Sequence, residues 1–267
     1  MKGNGGVVRS SEAPPGEVVR AFGGDPESLR RLDGGQGTSW RAGDMVLKPA
    51  GPEDQHRWLA GVLAEIPDSA AFRLARPVAS AAGEYVVQGW AATRWLPGHH
   101  VSGRWHEKLA VSAALHSALA AAPEPPFRGD DPWSIAARVA WGEPAPPGVD
   151  IALPVCEPWT GAAPQLIHGD LAGNILFADN LPPAVIDMSP HWAPAPFADA
   201  VMVADAVAWS GASVHLAQWF ADTVPGGREL LARAVIFRVV TIALLCPDDP
   251  ARIAAEEAGY APVSDIT

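Results

Sequence analysis

The stretch Leu166-Ile167-His168-Gly169-Asp170-Leu171-Ala172-Gly173-Asn174-Ile175-Leu176-Phe177, followed by Val185-Ile186-Asp187, decides how this chain is read. Apolar runs flank each polar cluster. That is the pattern of buried strands that deliver a few polar groups to a cleft. The polar set is Asp170, Asn174 and Asp187. Two carboxylates and one amide carbonyl are hard oxygen donors. Such a set suits Mg²⁺, whose remaining ligands are waters and phosphate oxygens. Zinc would call for His or Cys.

Upstream of this stretch, Asp33 to Thr38 forms a glycine loop. Ser39 to Ala42 and Met45 to Lys48 read as two strands joined by a tight Gly43-Asp44 turn. Pro49 to Pro52 stops the second strand. Glu53 to Ile66 then predicts a helix, with Trp58, Leu59, Val62, Leu63 and Ile66 on one face, ended by Pro67. Leu74 to Val78 and Tyr85 to Leu96 are β-like runs. Val18 to Phe22 reads as a short turn or helix. Pro97-Gly98 marks a boundary, giving residues 1–97 as a small antiparallel β lobe and 98–267 as a larger, mainly helical lobe. In the larger lobe helices are predicted over 105–122, 133–141, 197–209, 214–223, 229–245 and near 251–257. Residues 165–177 and 184–188 are β-like, separated by the Asp179-Asn180 turn signal.

The 267 residues carry a net charge of −11, with 48% hydrophobic and 18% charged residues, which excludes disorder along the whole chain. An acidic surface repels phosphate backbones and anionic lipid, so nucleic acid and membranes are not expected partners. The sign suits a cationic small molecule. Cys156 and Cys246 match no metal spacing and no disulfide framework. The N-terminus lacks the apolar core of a signal peptide, and the apolar run from Ala234 to Cys246 is interrupted by Arg238 and too short to span a bilayer. A cytoplasmic location is expected. The oligomeric state is not legible. Only three of the 19 basic residues are lysines (Lys2, Lys48 and Lys108), so a lysine at a strand end is chemically interesting.

His168-Gly169-Asp170…Asn174 with Ile186-Asp187 resembles the catalytic and metal-binding loops of the aminoglycoside phosphotransferase and choline kinase superfamily. The order of segments extends the likeness over about residues 30 to 210. Gly34-Gly35-Gln36-Gly37 precedes Val46-Leu47-Lys48 as a nucleotide loop precedes the ATP lysine. Leu115-His116 closes a helix, and Asp199 sits where the superfamily starts another. The resemblance implies an α+β, bilobal protein-kinase-like fold and an ATP/Mg²⁺-dependent kinase acting on a hydroxyl of an aminoglycoside, amino sugar or amino alcohol. By the same resemblance Asp170 handles the acceptor hydroxyl, Asn174 and Asp187 hold Mg²⁺, and Lys48 meets the α/β-phosphates. Gly34, Gly35 and Gly37 approach the nucleotide. His168 braces the loop, and Asp199 bonds backbone N–H groups of that loop.

The loose transition state of phosphoryl transfer explains these types: the protein positions groups and neutralises charge. Three departures stand out. Three residues, not four, separate Asp170 from Asn174, with the backbone freedom of Gly173 as the expected compensation. The glutamate partner of Lys48 is missing in the best register, where Leu59 stands, with Glu53 and Glu65 as alternatives. Met188 follows Asp187. The alternative function is a nucleotide-binding, catalytically inactive kinase-like protein with a regulatory role.

Overall fold

The computed structural model describes residues 12–33, 37–67, 69–149, 151, 154 and 156–267. The chain divides into two units. One runs to Pro97 apart from residues 69–72, and the other holds residues 69–72 and Gly98–Thr267.

The first unit opens with helix α1 (Gly16–Ala21) and a 3₁₀ turn (Pro26–Ser28). Strands β1 (Arg30–Arg31), β2 (Trp40–Ala42) and β3 (Met45–Pro49) follow, then helix α2 (Glu53–Ala64). Short strands β4 (Arg73–Leu74), β5 (Pro77–Val78) and β6 (Val86–Val87) lead to β7 (Trp90–Arg94). The sheet order is β1-β2-β3-β7-β5, with β6 also on β7, and the pairings are antiparallel. The expected single strand from Tyr85 to Leu96 is in fact a hairpin. Gln88 (φ 48°) and Gly89 (φ 77°) both turn through the left-handed region, as a two-residue hairpin turn demands. Strand alternation sends Met45 and Leu47 into a core with Val18, Val19, Phe22, Ala42, Trp90 and Ala92. Lys48 therefore projects to the opposite face.

The second unit starts with β8 (His99–His100), α3 (Trp105–Leu119) and α4 (Pro132–Ala140). Strands β9 (Gln165–His168), β10 (Ile175–Ala178), β11 (Leu181–Val185) and β12 (Pro190–Ala193) come next. Four helices close the chain: α5 (Ala195–Trp209), α6 (Val214–Thr223), α7 (Gly227–Leu245) and α8 (Pro250–Ser264). Strand β10 pairs antiparallel with β11 on one side and β8 on the other, while β9 pairs with β12 in a separate ribbon. The β-like run predicted over 165–177 thus splits between two sheets. The apolar core gathers around α5 and α7. Thirteen of the 19 residues of α7 are buried, so it is a central helix, and any charge on it needs a partner. Among the described residues no helix is long and apolar enough to cross a membrane.

Candidate active site

Asp170 leaves the end of β9 on a short loop that returns as β10. The β10–β11 hairpin pairs Ile175 with Val185, and the Ile186 N–H continues the ladder to the Asn174 carbonyl at 3.0 Å. This register puts Asn174 and Asp187 at the same end of the hairpin. The loop is held by Asn174 itself. Its N–H donates to Leu171 O at 3.0 Å, and its Nδ2 donates to Asp170 O at 2.7 Å and Asp170 Oδ2 at 3.3 Å. Asn174 Oδ1, the atom a metal would take, makes none of these bonds. The freedom expected of Gly173 is not used: its φ is not in the left-handed region, and a Cβ there would meet open space. The three-residue connection closes through the asparagine amide instead. The buried Lys108 adds a bond from Nζ to Ala172 O at 3.0 Å, while its ammonium lies 4.4 Å from the Trp105 ring centroid.

Gly169 is required for a different reason. A Cβ at this position would fall 2.2 Å from Cδ2 of His191, a buried ring on β12. His191 escaped sequence reasoning, because its role depends on β12 lying against β9. Burial holds the His191 imidazole neutral, with its pKa pushed down to about 4.

His168 braces the loop, as the resemblance implied. Its Nδ1 accepts the Asp170 N–H at 3.2 Å, so Nε2 carries the proton and donates to Ile186 O at 3.1 Å. One imidazole thereby ties Asp170 to the residue before Asp187. Burial lowers the His168 pKa despite that bond and the neighbouring carboxylates. Behind it, the His168 N–H donates to His116 Nε2 at 3.1 Å. His116 Nδ1 then bears the proton and faces Ser112 Oγ at 3.1 Å, and the Ser112 hydroxyl donates to Asp199 Oδ1. Asp199 was expected to bond backbone N–H groups of the loop. Its bond goes to Ser112 instead, because α3 carries the serine between α5 and β9. Burial drives the His116 pKa down to about 3, with the nearby His168 adding to it. Burial also raises Asp199 to about 6, against the Ser112 bond.

The largest feature missed by sequence reasoning is Arg238 on α7. Its Nη2 donates to Asp170 Oδ1 at 2.6 Å, and the same guanidinium grips Asp205 on α5 through Nε (3.0 Å) and Nη2. Tyr260 on α8 donates its hydroxyl to Asp205 Oδ1 at 2.6 Å. Burial alone would raise the Asp170 pKa, but the charge and hydrogen bond of Arg238 outweigh it and hold the carboxyl below its ordinary value. Side-chain exposure is 48% for Asp170 and 13% for Arg238, so the carboxylate reaches solvent while its anchor does not.

The remaining sequence candidates lie in the first unit. Lys48 sits on β3 opposite Ala91. Glu53 is engaged by Arg57 one turn along α2. Gly37 has φ 67°, and Arg31 clamps its carbonyl through Nε at 2.8 Å and Nη2 at 2.6 Å, which fixes the end of the glycine loop. Gly34 and Gly35 lie outside the described residues. The oxygens that would hold a metal at the hairpin end are Asn174 Oδ1 and those of the Asp187 carboxylate. Asp187 is exposed and held at φ 54°, a conformation that Asp tolerates better than most residues. Among the described residues no group of three or more His, Cys, Asp or Glu is arranged to hold a metal. Two protein oxygens, with phosphate and water completing the shell, fit Mg²⁺ bound together with a nucleotide.

No protein-family model matches this chain, and no curated protein is similar in sequence. Solved structures do match in fold. An aminoglycoside phosphotransferase from Alicyclobacillus acidocaldarius superposes with a TM-score of 0.55 at 16% identity, over 96% of this chain and 94% of that one. The AMP-bound complex of spectinomycin phosphotransferase APH(9)-Ia gives 0.55 at 12% identity, over 94% of each chain. A thermostable mutant of APH(4)-Ia with AMP-PNP and hygromycin B gives 0.52 at 17% identity, over 93% and 98%. The chain therefore has the kinase-like α+β fold of the aminoglycoside phosphotransferases, with an antiparallel N-terminal sheet and a helical C-terminal part.

Proposed function

We propose that this chain is an ATP- and Mg²⁺-dependent small-molecule kinase that transfers the γ-phosphate to a hydroxyl of an aminoglycoside, an amino sugar or an amino alcohol. The observation that carries the reading is the loop end where Asn174 Nδ2 and the His168 ring hold Asp170 and His168 also binds the carbonyl of Ile186, the residue before Asp187. In this reading the half-exposed Asp170 carboxylate accepts or orients the acceptor hydroxyl proton. Asn174 Oδ1 and Asp187 hold Mg²⁺, Lys48 meets the α/β-phosphates, and the loop of Gly34, Gly35 and Gly37 lets the backbone approach them. Mg²⁺ bound with ATP supplies neutralisation of the charge on the transferred phosphoryl group. The protein's own share is positioning, since a loose transition state needs little base strength. The fold likeness to enzymes solved with spectinomycin and ADP, or with hygromycin B and AMP-PNP, supports a nucleotide and an amino-bearing acceptor. The net charge of −11 suits that class.

The direct test is Asp170→Asn, which is nearly isosteric. It is expected to cut kcat by roughly 10²–10⁴-fold and to spare folding and Mg-ATP affinity. An ADP-release assay across amino sugars, aminoglycosides and amino alcohols, with calorimetry for Mg-ATP, measures both. Unchanged kcat in the variant sinks the assignment. One observation favours the rival, an inactive nucleotide-binding protein: Arg238 already occupies Asp170 Oδ1. In that case Mg-ATP stabilises both proteins equally and neither transfers phosphate.

A further inference from the structure

Arg238 stands on a helix that is buried nearly all round, where an unpaired cation is not tolerated. Its partners come from two different elements. Asp205, on α5, takes Nε and Nη2 in a two-point grip, and that geometry fixes the plane of the guanidinium. Asp205 is itself fixed by the Tyr260 hydroxyl from α8. Three helices thus aim one N–H at Asp170 Oδ1. On the other side Asn174 Nδ2 reaches Oδ2. A carboxylate offers about four acceptor positions. Two are used here, and the side chain keeps nearly half its surface exposed. A cation placed to quench Asp170 would need charge to spare, whereas the guanidinium is already shared with Asp205.

Resting on the kinase reading, we propose that Arg238, backed by Asp205 and Tyr260, is a positioning residue of the active site: it fixes the orientation of the Asp170 carboxylate, so that an acceptor hydroxyl meets an acceptor atom already aimed. Lysine is not an equivalent, because a point charge cannot grip Asp205 at two points and still direct an N–H at Asp170.

The test is a double-mutant cycle between Arg238→Met and Asp170→Asn. Turnover is read as ADP release from Mg-ATP, with spectinomycin, hygromycin B, further aminoglycosides, amino sugars, amino alcohols and water as acceptors. Mg-ATP affinity is read by calorimetry, and stability by urea unfolding. Arg238→Met is expected to lower kcat about 100-fold, the scale of a misplacement near 1 Å, with the Michaelis constant for ATP unchanged. Arg238→Lys restores only part of the loss. Added to Asp170→Asn, Arg238→Met lowers kcat no further, because the group it orients is gone. Tyr260→Phe, which keeps every charge, lowers kcat in the same direction and serves in the cycle if Arg238→Met does not fold. Losses that multiply in the double mutant, or full turnover in Arg238→Met, overturn the positioning role and leave the kinase reading intact. A wild type that binds Mg-ATP but releases no ADP with any of these acceptors overturns the kinase reading, and the positioning role with it.

Discussion

Replacing His116 by Gln probes the buried relay beneath the candidate-site loop. Gln can accept the His168 N–H at Oε1 and donate toward Ser112 from Nε2, but it does not titrate. In the wild type, burial lowers the His116 pKa from 6.5 to about 3. The unfolded chain takes a proton below pH 6.5 that the native state refuses. This part of the stability is therefore complete above pH 6.5 and is lost as pH falls toward 3. At 1.36 kcal/mol per pH unit, acidification from pH 7.5 to 4 removes roughly 3 kcal/mol through His116. Asp199 works the other way. Its pKa rises from 3.8 to about 6, so its ionisation costs stability above pH 6, and that cost is relieved as pH falls toward 3.8. Asp199 is present in both proteins and cancels in their difference. At pH 7.5 His116→Gln is expected to be less stable by about 1–2 kcal/mol, the scale of a poorly matched buried hydrogen bond. At pH 4 the order inverts, with the variant ahead by a similar amount. Urea unfolding followed by far-UV circular dichroism at pH 7.5, 6, 5 and 4 gives the two curves. A gap that stays constant across this range refutes the neutral, buried assignment of His116.

Three further expectations concern the site. Asp187→Asn keeps a residue that tolerates the left-handed backbone while removing the charge, so turnover should vanish with the circular dichroism spectrum unchanged; near-normal kcat at saturating Mg-ATP rules out a ligand role for Asp187. Lys48→Ala should raise the Michaelis constant for ATP, because a point charge toward the phosphates is lost, and an unchanged constant removes Lys48 from the nucleotide site. Gly169→Ala drives a methyl group to 2.2 Å from His191 Cδ2. A loss of roughly 1–3 kcal/mol is expected in chemical unfolding, and a fully stable variant would show that His191 can move aside.

The arrangement of the loop was legible because its residues are close in sequence. His168, Gly169, Asp170 and Asn174 fall within seven positions, and apolar runs on both sides announce strands. The helices were legible for the same reason, from Pro punctuation and apolar spacing, though α8 runs on to Ser264 because Tyr260 and Val263 are buried against the core. The short strands were not. Strand β8 has two residues, His99 and His100, which nothing in their own types marks as a strand; pairing with Leu176 and Phe177 makes them one. The split of β9 from β10 turns on the Asn174 N–H bond to Leu171 O, which closes the loop between two different sheets.

Arg238 shows where local reading stops. In the sequence it is only an interruption of an apolar run. Burial of α7 on nearly every side turns that interruption into a demand for carboxylates, but nothing local says which of the 30 acidic residues answer. The two that do are 33 and 68 positions away. Lys108 is the same case: it braces the loop at Ala172 from 64 positions upstream. The three-residue connection between Asp170 and Asn174 is thus held from outside the loop and by the asparagine amide, not by the glycine within it. The polar groups of the candidate loop, Asp170 and Asn174, are written in one short segment. Their orientation is written in helices α3, α5, α7 and α8, where burial converts single polar residues into fixed partners. A loop braced in this way holds Asp170 and Asn174 in place without relying on its own length, since each of its anchors takes a backbone carbonyl, an N–H or a carboxylate oxygen.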